Sequence, residues 1–338
     1  MKLITRERDI YRLRAAKTRW LNTLARKSLK YKEYTGRPPS TRSGRHAIVA
    51  PRNLSVYSFG AKTSPYPDTL VFVDELRRNF MIRDCFVDFR NTERVTAAAL
   101  VLIYAAIDTA RNERSAKADI IWSNKSQRVN VILRANNLHK LIRGEEIRYS
   151  LSDVKTMPIV SSVGSEMMEE IIDFIQSRIY QDKMSPDTEH FYGDAVSETI
   201  NNVRLHAYPG QEPSAKKWWL TCSTIGNQLY LAIYDNGVGI PKTVIERPWF
   251  ISAVQITHPQ EYADLLAQFP EFEDKKPLLM RFIPTKISDD KLIYMSMQGD
   301  VSGTKIEKHG QGSKSIMALV GDTTEGVLWV FSNGGLYK

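Results

Sequence analysis

The chain has 338 residues, 42% of them apolar and 25% charged, with a formal net charge of +9 and two cysteines. That length allows two domains and an extension, and the composition is that of a soluble globular protein. No apolar run reaches the ~20 residues a membrane-crossing helix needs, no secretory-type apolar stretch opens the chain, and Cys85 and Cys222 fit no metal spacing, so the expected home is the reducing cytoplasm.

The positive charge is concentrated at one end. Residues 1–46 hold 14 lysines and arginines against Glu7, Asp9 and Glu33, a local charge of +11, which leaves −2 for the rest. A compact basic arm of this kind suits nucleic acid or an acidic partner. It also describes a solvated helix followed by a linker, and no base-reading motif accompanies the charge.

In chain order, residues 5–34 are expected to form a helix with a partial stripe of Ile10, Leu13, Trp20, Leu21 and Leu24. YTGRPPSTRSGRHA then carries Gly and Pro punctuation and is expected to be a linker, so residues 1–50 form a basic helical arm and linker. From 66 to 150, strand-like and helix-like segments alternate. Thr69–Asp74 reads as a strand, Asp84–Phe89 as a buried strand, Val95–Arg111 as an apolar helix, Ala118–Ser123 as a strand and Arg128–Ile142 as a helix. Such alternation predicts a sheet with helices packed on it, an α/β (α+β) fold class. The strand–loop–apolar helix VDFRNTERVTAAALVLIYAAID, residues 87–108, resembles the STAS domain, the fold of anti-anti-sigma factors. That resemblance implies a phosphorylatable serine at the helix start. Thr96, Ala97, Ala98 and Ala99 stand there instead, and Thr96 reads as the helix cap.

Residues 166–184 are expected to form an amphipathic helix with Ile171, Ile172, Ile175 and Ile179 on one face. GDAVSETINNVRLHAY follows, residues 193–208, with a helix start expected at Gly193 or Asp194. Glu198, Asn202 and His206 recur every fourth residue and so share a helical face. The Asn oxygen is a hard ligand suited to Mg²⁺, and a carboxylate one turn away can orient or deprotonate a water. Exposed polar residues at this spacing also describe any solvated helix. Next, a strand LYLAIY runs into Asp235-Asn236-Gly237-Val238-Gly239. Asp235 can accept from an exocyclic amine such as adenine N6. Gly237 and Gly239 allow the chain to bend and to approach a ligand closely. Further on, Gly310 and Gly312 precede a helix expected to begin near Ser313, where backbone N–H groups can bind phosphate and Lys314 adds charge. Each of these pieces also has a plain loop reading.

Taken in order, the set resembles the Bergerat ATP-binding fold, the GHKL superfamily of gyrase, histidine kinase and MutL ATPases, over residues 160–338. The resemblance implies ATP and Mg²⁺ as cofactors. It implies Asn202 as metal ligand, Glu198 as general base and Asp235 as adenine reader with Gly237 and Gly239. Gly310, Gly312, Ser313 and Lys314 would lie in a lid over the phosphates, with His206 structural. Residues 241–309 form a longer insert than a minimal lid, so a protein partner is expected there or on the STAS-like region. The family adds a strand or two after the position where GGLYK stands, so a shortened or rearranged sheet edge is expected. Four functions fit: an ATPase whose nucleotide state switches its shape, an anti-sigma-type Ser/Thr kinase, a nucleic-acid-linked ATPase in defence or repair with residues 1–46 on phosphates, and a nucleotide-binding module without turnover. No phosphoacceptor helix pair accompanies the motifs, which argues against a histidine kinase.

Overall fold

The computed structural model describes residues 40–42, 45–57, 66–113, 116–148, 150–179, 186–225, 228–268, 287–297, 317, 320 and 326–338. The expected helix over 5–34 lies outside them. Within them the protein is mixed α/β, as expected.

The first unit is built on a four-stranded sheet. Strand β1 (Ser40–Arg42) pairs antiparallel with β2 (Arg45–Val49). β2 then pairs in parallel with β4 (Cys85–Asp88), and β4 with β6 (Ala118–Ile121). A short parallel pair, β3 (Asn53–Leu54) and β5 (Arg94–Val95), lies between them in sequence. Parallel neighbours need crossovers. Helix α1 (Tyr66–Asn79) makes the first and α2 (Ala97–Glu113) the second. Helices α3 (Gln127–Ala135) and α4 (Leu138–Arg143) close the unit. Ile48, Leu76, Phe80, Val87, Ile103, Ile107, Leu133 and Ile142 share one core there.

Three expectations for this unit are corrected. The linker ends earlier than the Gly and Pro punctuation suggested, because Ser40–Arg42 pairs antiparallel with Arg45–Val49, whose Ala47 and Ile48 are buried. Thr69–Asp74 is helix, not strand. Its apolar run belongs to a stripe of Thr69, Phe72, Val73 and Leu76, spaced three, one and three residues apart, which suits a helix face. Arg128–Ile142 is two helices, because Asn137 adopts φ +54° between them. Asn tolerates that left-handed conformation, and the Asn136 side chain donates to the Ile132 carbonyl at 2.9 Å to end the first helix. Thr96 caps α2 as expected: its hydroxyl accepts from Ala99 N and donates to the Leu54 carbonyl, both at 3.4 Å.

The second unit is an antiparallel sheet of β7 (Val160–Val163), β8 (Lys217–Ile225) and β9 (Gln228–Asp235). Successive strand residues face opposite sides, and β8 uses both. Trp218, Leu220 and Cys222 enter a core with Ile171, Val196, Ile200 and Val203. These residues come from α5 (Met168–Phe174) and α6 (Pro186–Asn202), each of which ends in a wider π turn, Ile175–Ile179 and Val203–Ala207. Trp219 points the other way, into the first unit's core beside α2. The α6 helix starts at Pro186, so Gly193 and Asp194 lie inside it rather than at its start.

The described residues of 240–297 contribute α7 (Ile240–Ile245), α8 (Phe250–Thr257), α9 (Pro259–Gln268) and α10 (Asp289–Met297). They gather around Phe250, Ala253, Val254, Ile287 and Leu292. A final hairpin, β10 (Val330–Ser332) and β11 (Gly335–Tyr337), stands apart from the β7–β8–β9 sheet. Among the described residues no helix is long and apolar enough to cross a membrane.

One buried polar contact anchors α1 to the sheet edge. Thr69 Oγ1 accepts from Ser55 N at 3.0 Å and donates to Ser55 O at 2.9 Å. Thr69→Val keeps the shape but leaves both backbone groups without this partner, so a loss of about 1–3 kcal/mol is expected in denaturant unfolding. Unchanged stability would show that another group satisfies Ser55.

Candidate functional site

The site is built where the end of α6 meets the end of β9. Glu198 and Asn202 lie one turn apart on α6. Val196, Ile200 and Val203 fill the core below the helix. At 100° per residue, Glu198 and Asn202 fall on the side turned away from these three. Both are nevertheless half-buried, so protein shields that side as well. His206 sits in the π turn Val203–Ala207, where the backbone repeats after five residues rather than four. Single π turns of this kind recur at functional sites.

The Asp235–Gly239 loop is fixed by its own amides. Asn236 N donates to the Tyr208 hydroxyl oxygen at 2.8 Å, Gly237 N to Asp235 Oδ1 at 2.8 Å and Val238 N to the Ala207 carbonyl at 2.8 Å. Ile240 N donates to Ser332 Oγ at 2.8 Å. These N–H groups are committed within the protein. What the loop offers a ligand is therefore the Asp235 carboxylate, an acceptor, rather than a nest of donors for phosphate.

The two glycines let backbone meet protein. A Cβ on Gly237 would lie 2.2 Å from the Ala207 carbonyl oxygen. One on Gly239, at φ +88°, would lie 2.5 Å from Asn333 Oδ1. The close approach expected of them is thus made to the α6 end and to the final hairpin. Asn202 precedes Ala207 by five residues and so by roughly 7 Å along the helix axis. Gly310, Gly312, Ser313 and Lys314 lie outside the described residues.

Tyr208 was not singled out from the sequence. Its hydroxyl donates to the Lys217 carbonyl at 2.7 Å and accepts from Asn236 N, so one phenol joins the α6 end, the start of β8 and the loop. Burial pushes its pKa up to about 12, which keeps the donor proton in place across the physiological range. The signal was available: a Tyr follows the His-Ala end of the helix motif directly. Its function depends on a fold-back that no local pattern announces.

Burial also raises the pKa of the Asp235 carboxyl, against a smaller lowering by the Gly237 N–H. Among the described residues no three His, Cys, Asp or Glu side chains gather as a metal cluster. A Mg²⁺ ion held by Asn202 Oδ1 would need phosphate oxygens and water to complete its shell, an arrangement Mg²⁺ commonly accepts.

No protein-family model, curated protein or solved structure matches this chain.

The raised Asp235 pKa has a stability consequence. The folded state favours protonated Asp235. That contribution is fully present below the carboxyl's unfolded pKa and is lost as pH rises through the folded one. Once ionised, the carboxylate is held where burial disfavours charge. Asp235→Asn keeps an acceptor for Gly237 N and removes the charge. We expect its thermal midpoint at pH 7 to equal or exceed that of the natural protein, with the gap closing on acidification towards pH 4. A clear drop in midpoint at pH 7 would show that the charge is compensated in the folded state.

Proposed function

We propose that the chain binds Mg·ATP between α6 and the Asp235 loop and hydrolyses it, its nucleotide state setting its shape. The observation that carries this reading is Asp235 itself. It is a desolvated carboxylate at the end of a strand, held by a loop whose amides are already bonded, opposite a helix end with a shielded Glu and Asn. A half-buried acceptor whose pKa burial raises suits an adenine amine, which would add a donor to the one Gly237 N supplies. The two-motif order and the Bergerat resemblance point the same way.

In this reading Asp235 binds and selects the base, while Tyr208 and Gly237 hold Asp235 in register. Asn202 Oδ1 would hold Mg²⁺, which when bound neutralises phosphate charge. Glu198 takes a proton from the water that attacks the γ-phosphate. The basic segment 1–46 is then a surface for nucleic acid, and the insert 241–309 or the STAS-like unit one for a protein partner. Phosphotransfer to Thr96 within the chain is disfavoured, since that hydroxyl is engaged as a helix cap.

The test is incubation with γ-labelled ATP and Mg²⁺. Label released as free phosphate supports hydrolysis; label on a protein hydroxyl would instead make the chain a kinase, and label on neither a binding module. Glu198→Gln keeps shape and removes the basic oxygen. Turnover should fall by about 10²–10⁴-fold while nucleotide affinity holds, the usual weight of a positioned general base. Asn202→Ala should weaken Mg²⁺-dependent binding specifically. Natural-level turnover in Glu198→Gln would remove that residue from the chemistry.

A further inference from the structure

Two chains of hydrogen bonds run from the first unit into the Asp235 loop, and both end on Asn236. The outer one starts at Arg77 on α1, whose Nη2 donates to the Tyr234 hydroxyl. Tyr234 in turn donates to Asn236 Oδ1 at 3.2 Å. The inner one starts at Asp108 on α2. Its Oδ2 accepts from Trp219 Nε1 at 2.8 Å and pairs with Lys217 Nζ at 2.6 Å. The Lys217 carbonyl accepts from Tyr208, and Tyr208 accepts from Asn236 N. The side chain and the backbone of one loop residue are thus tied separately to two helices of the other unit. Trp219 is buried and its ring packs 5.9 Å from that of Tyr234, so the half-buried inner chain runs beside the outer one, which passes from exposed Arg77 to exposed Asn236 along the surface.

We infer that the α/β unit regulates the nucleotide site through Asn236. This rests on the reading of Asp235 as the base acceptor. Asn236 is the residue between Asp235 and Gly237, so its position sets the carboxylate. When α1 and α2 sit as they do here, both ties hold and Asp235 is preorganised for a base. Displacing either helix, by a partner bound to the α/β unit, releases one tie and loosens the loop. Coupling of this kind is reciprocal: a nucleotide that stiffens the loop also stiffens the contact of α1 and α2 with the sheet. The ties form a contiguous network, and its energetic coupling is what the experiment measures.

The full-length protein is examined by amide hydrogen exchange without nucleotide and, separately, by ADP binding in calorimetry. Arg77→Ala and Tyr234→Phe each remove the outer tie, and the second keeps the ring packed on Trp219. Each should speed exchange of the Asn236, Gly237 and Val238 amides by about fivefold, the weight of one ordinary hydrogen bond. Each should weaken ADP by a similar factor. In an Asn236→Ala background, Arg77→Ala should have no further effect on exchange. Arg78→Ala is the control, because Arg78 pairs with Asp74 on its own helix, and it should leave the loop unchanged. Unchanged exchange in both outer-tie variants, or equal effects of Arg77→Ala with and without Asn236, would overturn the inference. If the natural protein bound no nucleotide while exchange still responded, the tie would stand and the nucleotide reading would fall. The two failures are therefore separable.

Discussion

Two adjacent tryptophans determine how this molecule is put together. In an extended strand, neighbouring side chains leave on opposite faces, so Trp218 and Trp219 cannot enter the same core. Trp218 goes down among α5 and α6 and donates its indole N–H to the Gly164 carbonyl at 2.9 Å. Trp219 goes up against α2 and donates to Asp108. Each ring excludes a large apolar area from water, and each polar tip is satisfied. The β7–β8–β9 sheet is thereby covered on both faces and becomes the shared wall of two units.

The candidate site inherits its geometry from that wall. β9 is paired along its length to β8, with Asp235 opposite Trp218. The last residue of the strand is therefore paired with a fully buried tryptophan, and the loop beyond it starts from a fixed point. Gly237 then packs against Ala207 with no room for a side chain. The final hairpin closes the other side: Ser332 takes the Ile240 amide, Asn333 fills the space in front of Gly239, and Phe331 stacks on Tyr66 of the first unit. Rigidity here comes with a carboxyl in an unfavourable place, since Asp235 is desolvated and forms no ion pair among the described residues. Local conflicts of this kind are expected at functional sites.

Much of this was legible in the sequence where the pattern is local. DCFVDF as a buried strand, the apolar run from Ala97 as a helix, Thr96 as its cap and LYLAIY leading into Asp235 all follow from period and turn chemistry. The misses share a physical cause. Thr69–Asp74 is apolar enough for a strand, and only its partner residues Leu76 and Ser55 reveal a helix. KWWLTCSTI alternates apolar and polar residues only over Leu220–Ser223, because Trp219 on the other face is also buried, so the central strand did not stand out. Arg45–Val49 follows a Gly-rich stretch and becomes a strand only through its parallel partner Cys85–Asp88. Within the site, the residue types and their order were readable. Their convergence was not: Tyr208, Asn236 and the Ser332–Asn333 contacts join segments far apart in sequence, and such contacts leave no local signature.

The central claim is that Asp235 reads an adenine amine. Its most direct measurement is parallel calorimetric titration of the natural protein and of Asp235→Asn with ATP and with GTP, at pH 7 with Mg²⁺. GTP presents an acceptor where ATP presents the amine. The account predicts that the natural protein prefers ATP clearly over GTP, and that Asp235→Asn loses roughly 10–150-fold in ATP affinity, the weight of a hydrogen bond to a charged group. Equal affinity for the two nucleotides, or full ATP affinity in Asp235→Asn, would contradict it.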